Sequence, residues 1–201
     1  MDTRILLARH GETDWNAERR WQGHADPPLN ELGREQARSL AALLAGRPVS
    51  AVYSSDLHRA SETASIAAEP LGLPVLVDER LREVDVGEWS GLTTAEIEER
   101  FPGAVERRRA GGNGWELGES YEAMGERIEA ALLAIAGAHP GETVLVVTHG
   151  GPVRMMRRLT GVRGEEWQRV ANCDVDELAV LDGRIRWLDS TRGGLHQQVQ
   201  G

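Results

Sequence analysis

Two short apolar runs in this chain each end in histidine followed by glycine. Residues 5–8 lead into Arg9-His10-Gly11, and residues 144–147 lead into Thr148-His149-Gly150-Gly151. Continuous aliphatic runs of this length fit strands buried on both faces of a parallel sheet. Open α/β sheets hold ligands outside the carboxyl ends of their strands. A cation, a titratable nucleophile and a residue without a side chain, placed at two such ends, describe a site for an anion.

The rest of the chain agrees with such a sheet. β-type runs at 3–8, 51–54, 75–77 and 143–148 alternate with amphipathic stretches at 32–44, 57–69, 121–138 and 152–160. This alternation marks βαβ units on a mostly parallel sheet, an α/β protein. Asn30 is expected to cap the first helix and Ser55 or Asp56 the second; Thr93 and Glu96 form a capping box that opens a short helix. Residues 177–181 and 185–187 flank Asp182-Gly183, the pattern of a hairpin. Residues 1–201 read as one domain, with 92–120 as an insertion that caps the site and a loose polar tail after Ser190.

Charge and composition narrow the partners. A formal net charge of −9 argues against nucleic acid and anionic membranes. An acidic chain that binds an anion therefore needs a locally positive pocket. All 23 basic residues are arginine, which removes Schiff-base chemistry and suits bidentate clamping of phosphate or carboxylate. Cys173 is alone, no apolar run approaches the ~20 residues of a membrane span, and the N-terminal apolar stretch is too short for a signal peptide. A cytoplasmic enzyme is expected, as monomer or homodimer.

A phosphoryl group between the two His-Gly turns gives these residues a chemistry. A neutral imidazole attacks phosphorus and forms a phosphohistidine, provided its other ring N–H is held by a hydrogen bond. Gly11 would let the backbone approach the phosphate. Charge on the non-bridging oxygens calls for positive donors, and Arg9, His149 and Arg59 are placed to supply them. The leaving alkoxide needs a general acid: Glu83 is best placed, with Glu79, Asp85 and Glu88 near enough to compete. His24, His58, His139 and His196 lack a strand-end glycine and read as solvated or structural. Trp21, Trp89 and Trp115 fall in loops around the mouth, where stacking on substrate competes with loop packing. The run Arg107-Arg108-Arg109 reads as a solvated helix face that could also meet a second substrate anion.

The stretch Arg9-His10-Gly11-Glu12-Thr13-Asp14-Trp15-Asn16 resembles the N-terminal signature of the histidine phosphatase superfamily, the phosphoglycerate mutase-like proteins. Ser54-Ser55-Asp56-Leu57-His58-Arg59-Ala60 with Glu62-Thr63-Ala64 resembles its second block. Leu81-Arg82-Glu83 with Gly87-Glu88-Trp89-Ser90-Gly91 resembles the third, and Thr148-His149-Gly150-Gly151 the fourth. The resemblance implies a three-layer α/β/α fold with a mostly parallel mixed sheet. It implies His10 as the phosphorylated nucleophile, a pocket completed by Arg9, Arg59 and His149, and Glu83 as proton donor and then base. It adds Asn16 and Gln22 as donors to the phosphoryl oxygens, and it implies no metal or organic cofactor.

Hydrolysis is expected over phosphoryl return. Cofactor-dependent phosphoglycerate mutases of the family are usually longer and typically carry a Glu-Arg-His-Tyr-Gly-like stretch after the acidic residue. Here that stretch is Glu83-Val84-Asp85-Val86-Gly87, a poor environment for a bisphosphorylated acid. The compact insertion resembles the small bacterial phosphatases. A phosphomonoesterase of a small phosphorylated metabolite is the reading, with a mutase as alternative and a catalytically dead binding module as a remote one. Phosphosugars, phosphoglycerate derivatives, α-ribazole phosphate and other small monoesters are the candidate substrates.

Overall fold

The computed structural model describes residues 2–162 and 170–191. Six strands form one sheet in the order β3-β2-β4-β1-β5-β6. The strands are β1 Thr3–Arg9, β2 Val49–Ser54, β3 Val75–Val77, β4 Thr143–Thr148, β5 Val175–Leu181 and β6 Arg184–Thr191. The first four run parallel, and β5 and β6 join antiparallel beside β1. The helices are α1 Asp14–Ala17, α2 Glu31–Leu44, α3 His58–Ala68, α4 Thr94–Arg100, α5 Ala104–Arg109, α6 Tyr121–Ala138 and α7 Gly150–Leu159.

The two faces of the sheet build two cores, because successive strand residues point to opposite sides. On β1, Ile5 and Leu7 join one apolar cluster with Met124, Ile128 and Leu132 of α6 and Val153 and Met156 of α7. Leu6 and Ala8 join the other, with Leu40 and Leu44 of α2 and Ala60, Ala64 and Ala67 of α3. The result is the three-layer arrangement. Small residues on α3 let it sit close on the sheet, which explains an alanine-rich helix with no large apolar face.

Register sets the site. Arg9 pairs with Thr148 across β1 and β4, so His10 and His149 emerge side by side, and the His10 N–H donates to the Thr148 carbonyl at 2.9 Å. The connection from β1 crosses to β2 and that from β4 crosses to β5, in opposite directions along the sheet. Between them lies a topological switch point, where α/β sheets open a crevice.

Four expectations change. The α3 cap is Leu57, which makes no side-chain cap bond; Ser55 instead accepts the Leu57 N–H and faces His149. Helix α7 begins at Gly150 and not at Pro152; proline is tolerated there because the first turn lacks intrahelical partners for its N–H groups. The loop after β1 contains α1, one turn closed by a capping box between Thr13 and Asn16. The stretch 92–120 holds α4 and α5, and it lies behind the wall of the site. The hairpin turn at Asp182 and Gly183 has φ of 50° and 70°, the two left-handed residues that match strand twist. His196 and the tail from 192 lie outside the described residues.

Candidate active site

A cavity of about 220 Å³ opens at the carboxyl ends of β1 and β4. Its wall includes Arg9, His10, Asn16, Gln22, Arg59, Glu83 and Gly150, seven of the nine expected site residues. His149 lies directly behind, fully buried, its ring centroid 5.1 Å from that of His10. Gly11 is off the wall: a Cβ there would stand 2.4 Å from the Gly33 carbonyl oxygen, and its N–H donates to Thr63 Oγ1. Its lack of a side chain serves the packing of α2 against the β1 end, not an approach to phosphate.

The His10 ring is oriented by the backbone. Nδ1 donates to the Gly11 carbonyl at 2.6 Å. A carbonyl only accepts, so in the neutral ring the proton sits on Nδ1 and Nε2 carries the lone pair. Burial, and then the charges of Arg59 and Arg9, hold His10 well below the usual histidine range. Burial does the same to His149, with Arg59 next. Both rings are neutral at neutral pH. His149 Nε2 pairs with Ser55 Oγ at 2.9 Å, and its Nδ1 has no described partner.

Cations surround this pair. Arg59 lies fully buried, anchored by the carbonyls of Ala25 and Gly23 at 2.6 and 2.8 Å, with Asp26 at 3.8 Å. Arg9 donates to the Val170 carbonyl at 2.7 Å. Burial pushes each guanidinium down to about 10, with Arg154 adding to the effect at Arg9. Each therefore stays charged at neutral pH. The Nε atoms of both, with Gln22 Oε1, are buried without a described partner, a costly state that an oxyanion would relieve at the guanidinium groups. Asn16 Oδ1 accepts from Thr13 N–H and Asn172 Nδ2. The α1 cap thereby fixes the amide with its NH2 as the remaining donor.

Glu83 is the one carboxylate on the described wall. Its Oε1 accepts the Val84 N–H at 2.9 Å and its Oε2 the Gly151 N–H at 3.0 Å, at the start of α7. Its backbone carbonyl is held at 2.8 Å by His24 Nε2 and at 2.8 Å by Arg127 Nη2. The competitors point elsewhere: Asp85 accepts the Gly87 N–H, Glu88 the N–H groups of Glu116 and Leu117, and Glu79 approaches Arg82.

Several wall residues carried no role in the sequence reading: Trp15, Arg19, Arg20, Tyr121, Gly151 and Arg154. Arg154 was findable, one helical turn after Gly150. Asn172, whose Nδ2 donates to the His10 carbonyl at 2.9 Å, was not, because only strand order brings β5 beside β1. Trp21 lines the cavity, but Trp89 and Trp115 are buried behind it in edge-on contacts. Among the described residues, none from 92 to 120 lines the cavity. That stretch braces the wall instead: Arg20 donates to Glu96, and the Arg108 guanidinium sits 4.7 Å over the Trp21 ring and donates to Tyr121. Of the arginine run only Arg108 meets the aromatic residues; Arg107 and Arg109 are exposed, with Arg109 near Glu106.

Two strand-end histidines, one with its open nitrogen fixed, within a ring of guanidinium groups define a phosphoryl-type anion site on an α/β sheet. Residues 5–191 match the histidine phosphatase superfamily (branch 1), and the chain belongs to that family. It is 39% identical over 184 residues to phosphoglycerate mutase-like protein 4 of Arabidopsis thaliana, covering 89% of this chain and 80% of that one. It is 44% identical over 158 residues to a metal-independent phosphoserine phosphatase of the same plant, covering 76% and 66%. The structure of mycobacterial glucosyl-3-phosphoglycerate phosphatase with VO3 superposes with a TM-score of 0.79 at 34% identity, covering 94% of this chain and 97% of that one. Other mycobacterial relatives are longer, and the chain spans 44% of their length. No described helix is long and apolar enough to cross a membrane.

Proposed function

We propose that the chain is a phosphomonoesterase that hydrolyses small phosphorylated metabolites through a phosphohistidine on His10. The observation that carries this reading is the Nδ1 bond to the Gly11 carbonyl, which leaves Nε2 as the ring's open nitrogen in a cationic cavity. His10 Nε2 attacks phosphorus, the P–O ester bond breaks, and Glu83 gives its proton to the leaving oxygen. Water then attacks the phosphohistidine, Glu83 takes the water's proton, and phosphate leaves with Nε2 restored. Arg9, Arg59, Asn16, Gln22 and His149 hold the non-bridging oxygens, where charge gathers in the transition state. Gly150 keeps the α7 start clear beside Arg9 and Arg154.

Relatives named as phosphatases favour hydrolysis over phosphoryl return, and Val84 and Val86 on the wall give a bisphosphorylated acid no donors there. With Cys173 as its single cysteine the chain makes no intrachain disulfide, which suits a cytoplasmic setting. Brief exposure to a 32P-labelled phosphomonoester should trap an acid-labile label on the protein that His10→Gln lacks. In parallel, 3-phosphoglycerate with catalytic 2,3-bisphosphoglycerate should release inorganic phosphate and form little 2-phosphoglycerate. Rapid interconversion would reverse the assignment to the mutase, and label retained in His10→Gln would remove the nucleophile.

A further inference from the structure

Ser55 stands in the same sequence block as Arg59, yet the reaction gives it no step. It lies just before α3, but the cap of that helix makes no side-chain bond, and the Ser55 hydroxyl accepts only the Leu57 N–H at 3.3 Å. Its place is set by the sheet instead. Ser54 pairs with Val147 across β2 and β4, and the Ser55 N–H donates to the Val147 carbonyl at 3.1 Å. The Ser54 hydroxyl donates to the Ser55 carbonyl at 2.8 Å. The Ser55 hydroxyl is thereby held, fully buried, 2.9 Å from His149 Nε2.

A hydroxyl has one proton to give. Ser55 Oγ already accepts the Leu57 N–H, and among the described residues its own proton meets one acceptor, His149 Nε2. Burial and the charge of Arg59 keep the His149 ring neutral. Nε2 can then accept only if the ring proton sits on Nδ1. The reverse arrangement, with Nε2–H donating to Oγ, would leave the buried Ser55 proton without an acceptor. It would also leave Nδ1 a lone pair in a site for an anion. Nδ1 is buried without a described partner, and so are Arg9 Nε and Arg59 Nε beside His10. Three N–H groups in that state suit an oxyanion, whereas a lone pair among them would repel it.

His10 carries its proton on the same nitrogen and is held the other way round. Its Nδ1–H is spent on the Gly11 carbonyl, which leaves the Nε2 lone pair open. In His149 the Nε2 lone pair is spent on a hydroxyl, which leaves Nδ1–H open. A partner that only accepts makes a nucleophile; a partner that donates makes a donor.

We propose that Ser55 is a positioning residue whose hydroxyl fixes the Nδ1–H tautomer of His149, so that this ring meets the phosphoryl oxygens as a neutral donor. The phosphoryl part of the inference rests on the phosphomonoesterase reading above; the tautomer does not.

Long-range 1H–15N spectra, with His149 assigned by its absence in His149→Gln, should show the proton on Nδ1. In Ser55→Ala that signature should give way to the Nε2–H form or to a mixture, and in Ser55→Thr, which keeps the hydroxyl, it should return. Rapid-quench measurement of phosphohistidine formation from p-nitrophenyl phosphate should slow about tenfold or more in Ser55→Ala, toward the loss of a whole oxyanion donor. The rate should recover in Ser55→Thr, and it should fall no further when Ser55→Ala is added to His149→Gln. A wild-type His149 protonated on Nε2 would overturn the proposal, and that spectrum needs no variant at Ser55. An unchanged tautomer in Ser55→Ala would do the same, as would an equal loss of rate from Ser55→Ala with and without His149. A wild type that shows the Nδ1–H form but makes no phosphoenzyme would instead overturn the phosphomonoesterase reading.

Discussion

Gly151 and Gly11 both lack a side chain for steric reasons, yet their neighbours differ in kind. A Cβ on Gly151 would lie 2.0 Å from Glu83 Oε1, the end of a flexible side chain, whereas one on Gly11 would lie 2.4 Å from a backbone oxygen. In Gly151→Ala, Glu83 swings aside and the fold survives. Its kcat on alkyl phosphates should fall about 10²-fold, the scale of a general acid moved out of reach, while p-nitrophenyl phosphate, with its good leaving group, loses much less. Gly11→Ala has no such escape, and α2 must shift at a cost of about 1–3 kcal/mol. Thermal unfolding should report the second change and leaving-group dependence the first. At this scale the sequence was most legible where the chemistry lies on one strand end. Arg9, His10 and His149 follow from two strands and one rule about where they end. Gly151 and Asn172 depend on which side chain a helix start meets and which strands lie side by side, and periodicity holds no record of that.

Among the elements, α6 does more than cover the sheet. Arg127 on its first half donates to the carbonyls of Arg80, Arg82 and Glu83, each at 2.8 Å, and to both oxygens of Glu119 at 2.6 Å. Three backbone oxygens of one loop converge on one guanidinium, so the helix fixes the path of the chain that presents Glu83. Arg127→Met keeps the aliphatic stem and removes the fork. It should lower kcat on poor leaving groups by about tenfold or more with little change in KM, since the acid is displaced while the phosphate clamp remains. Arg127→Lys should restore little, because one ammonium cannot reproduce a planar fork; recovery to wild-type kcat would show that charge alone suffices. The strands and the longer helices were readable from spacing, and the Asn30 cap and the Thr93–Glu96 box from residue type, but neither α5 nor the α3 cap was. Helix α1 was not, since four residues hold too little periodicity, and neither was the placing of 92–120. An apolar Trp115 near the mouth in sequence suits both a lid and a buttress, and only the burial of Trp89 and Trp115 behind Trp21 decides for the buttress.

For the whole molecule, the site and the stability are linked through protons. His10 and His149 are buried and held neutral, their affinity for protons well below that of an unfolded histidine near 6.5. Between the depressed folded values and 6.5, the unfolded chain binds protons that the folded chain refuses, so stability rises with pH and is lost as pH falls. Each histidine contributes a slope of about 1.4 kcal/mol per pH unit in that window, and the two together about twice that. Urea unfolding between pH 7 and pH 5 should therefore show a steep acid loss. The paired variant His10→Gln with His149→Gln should flatten most of it, because glutamine fills much of the same space and does not titrate. Phosphate or vanadate bound in the cavity should oppose the loss by mass action, for either anion binds only the folded chain. An acid slope unchanged in the paired variant would place the cost on other groups, and would mean that the cationic pocket is held together by something other than two uncharged rings.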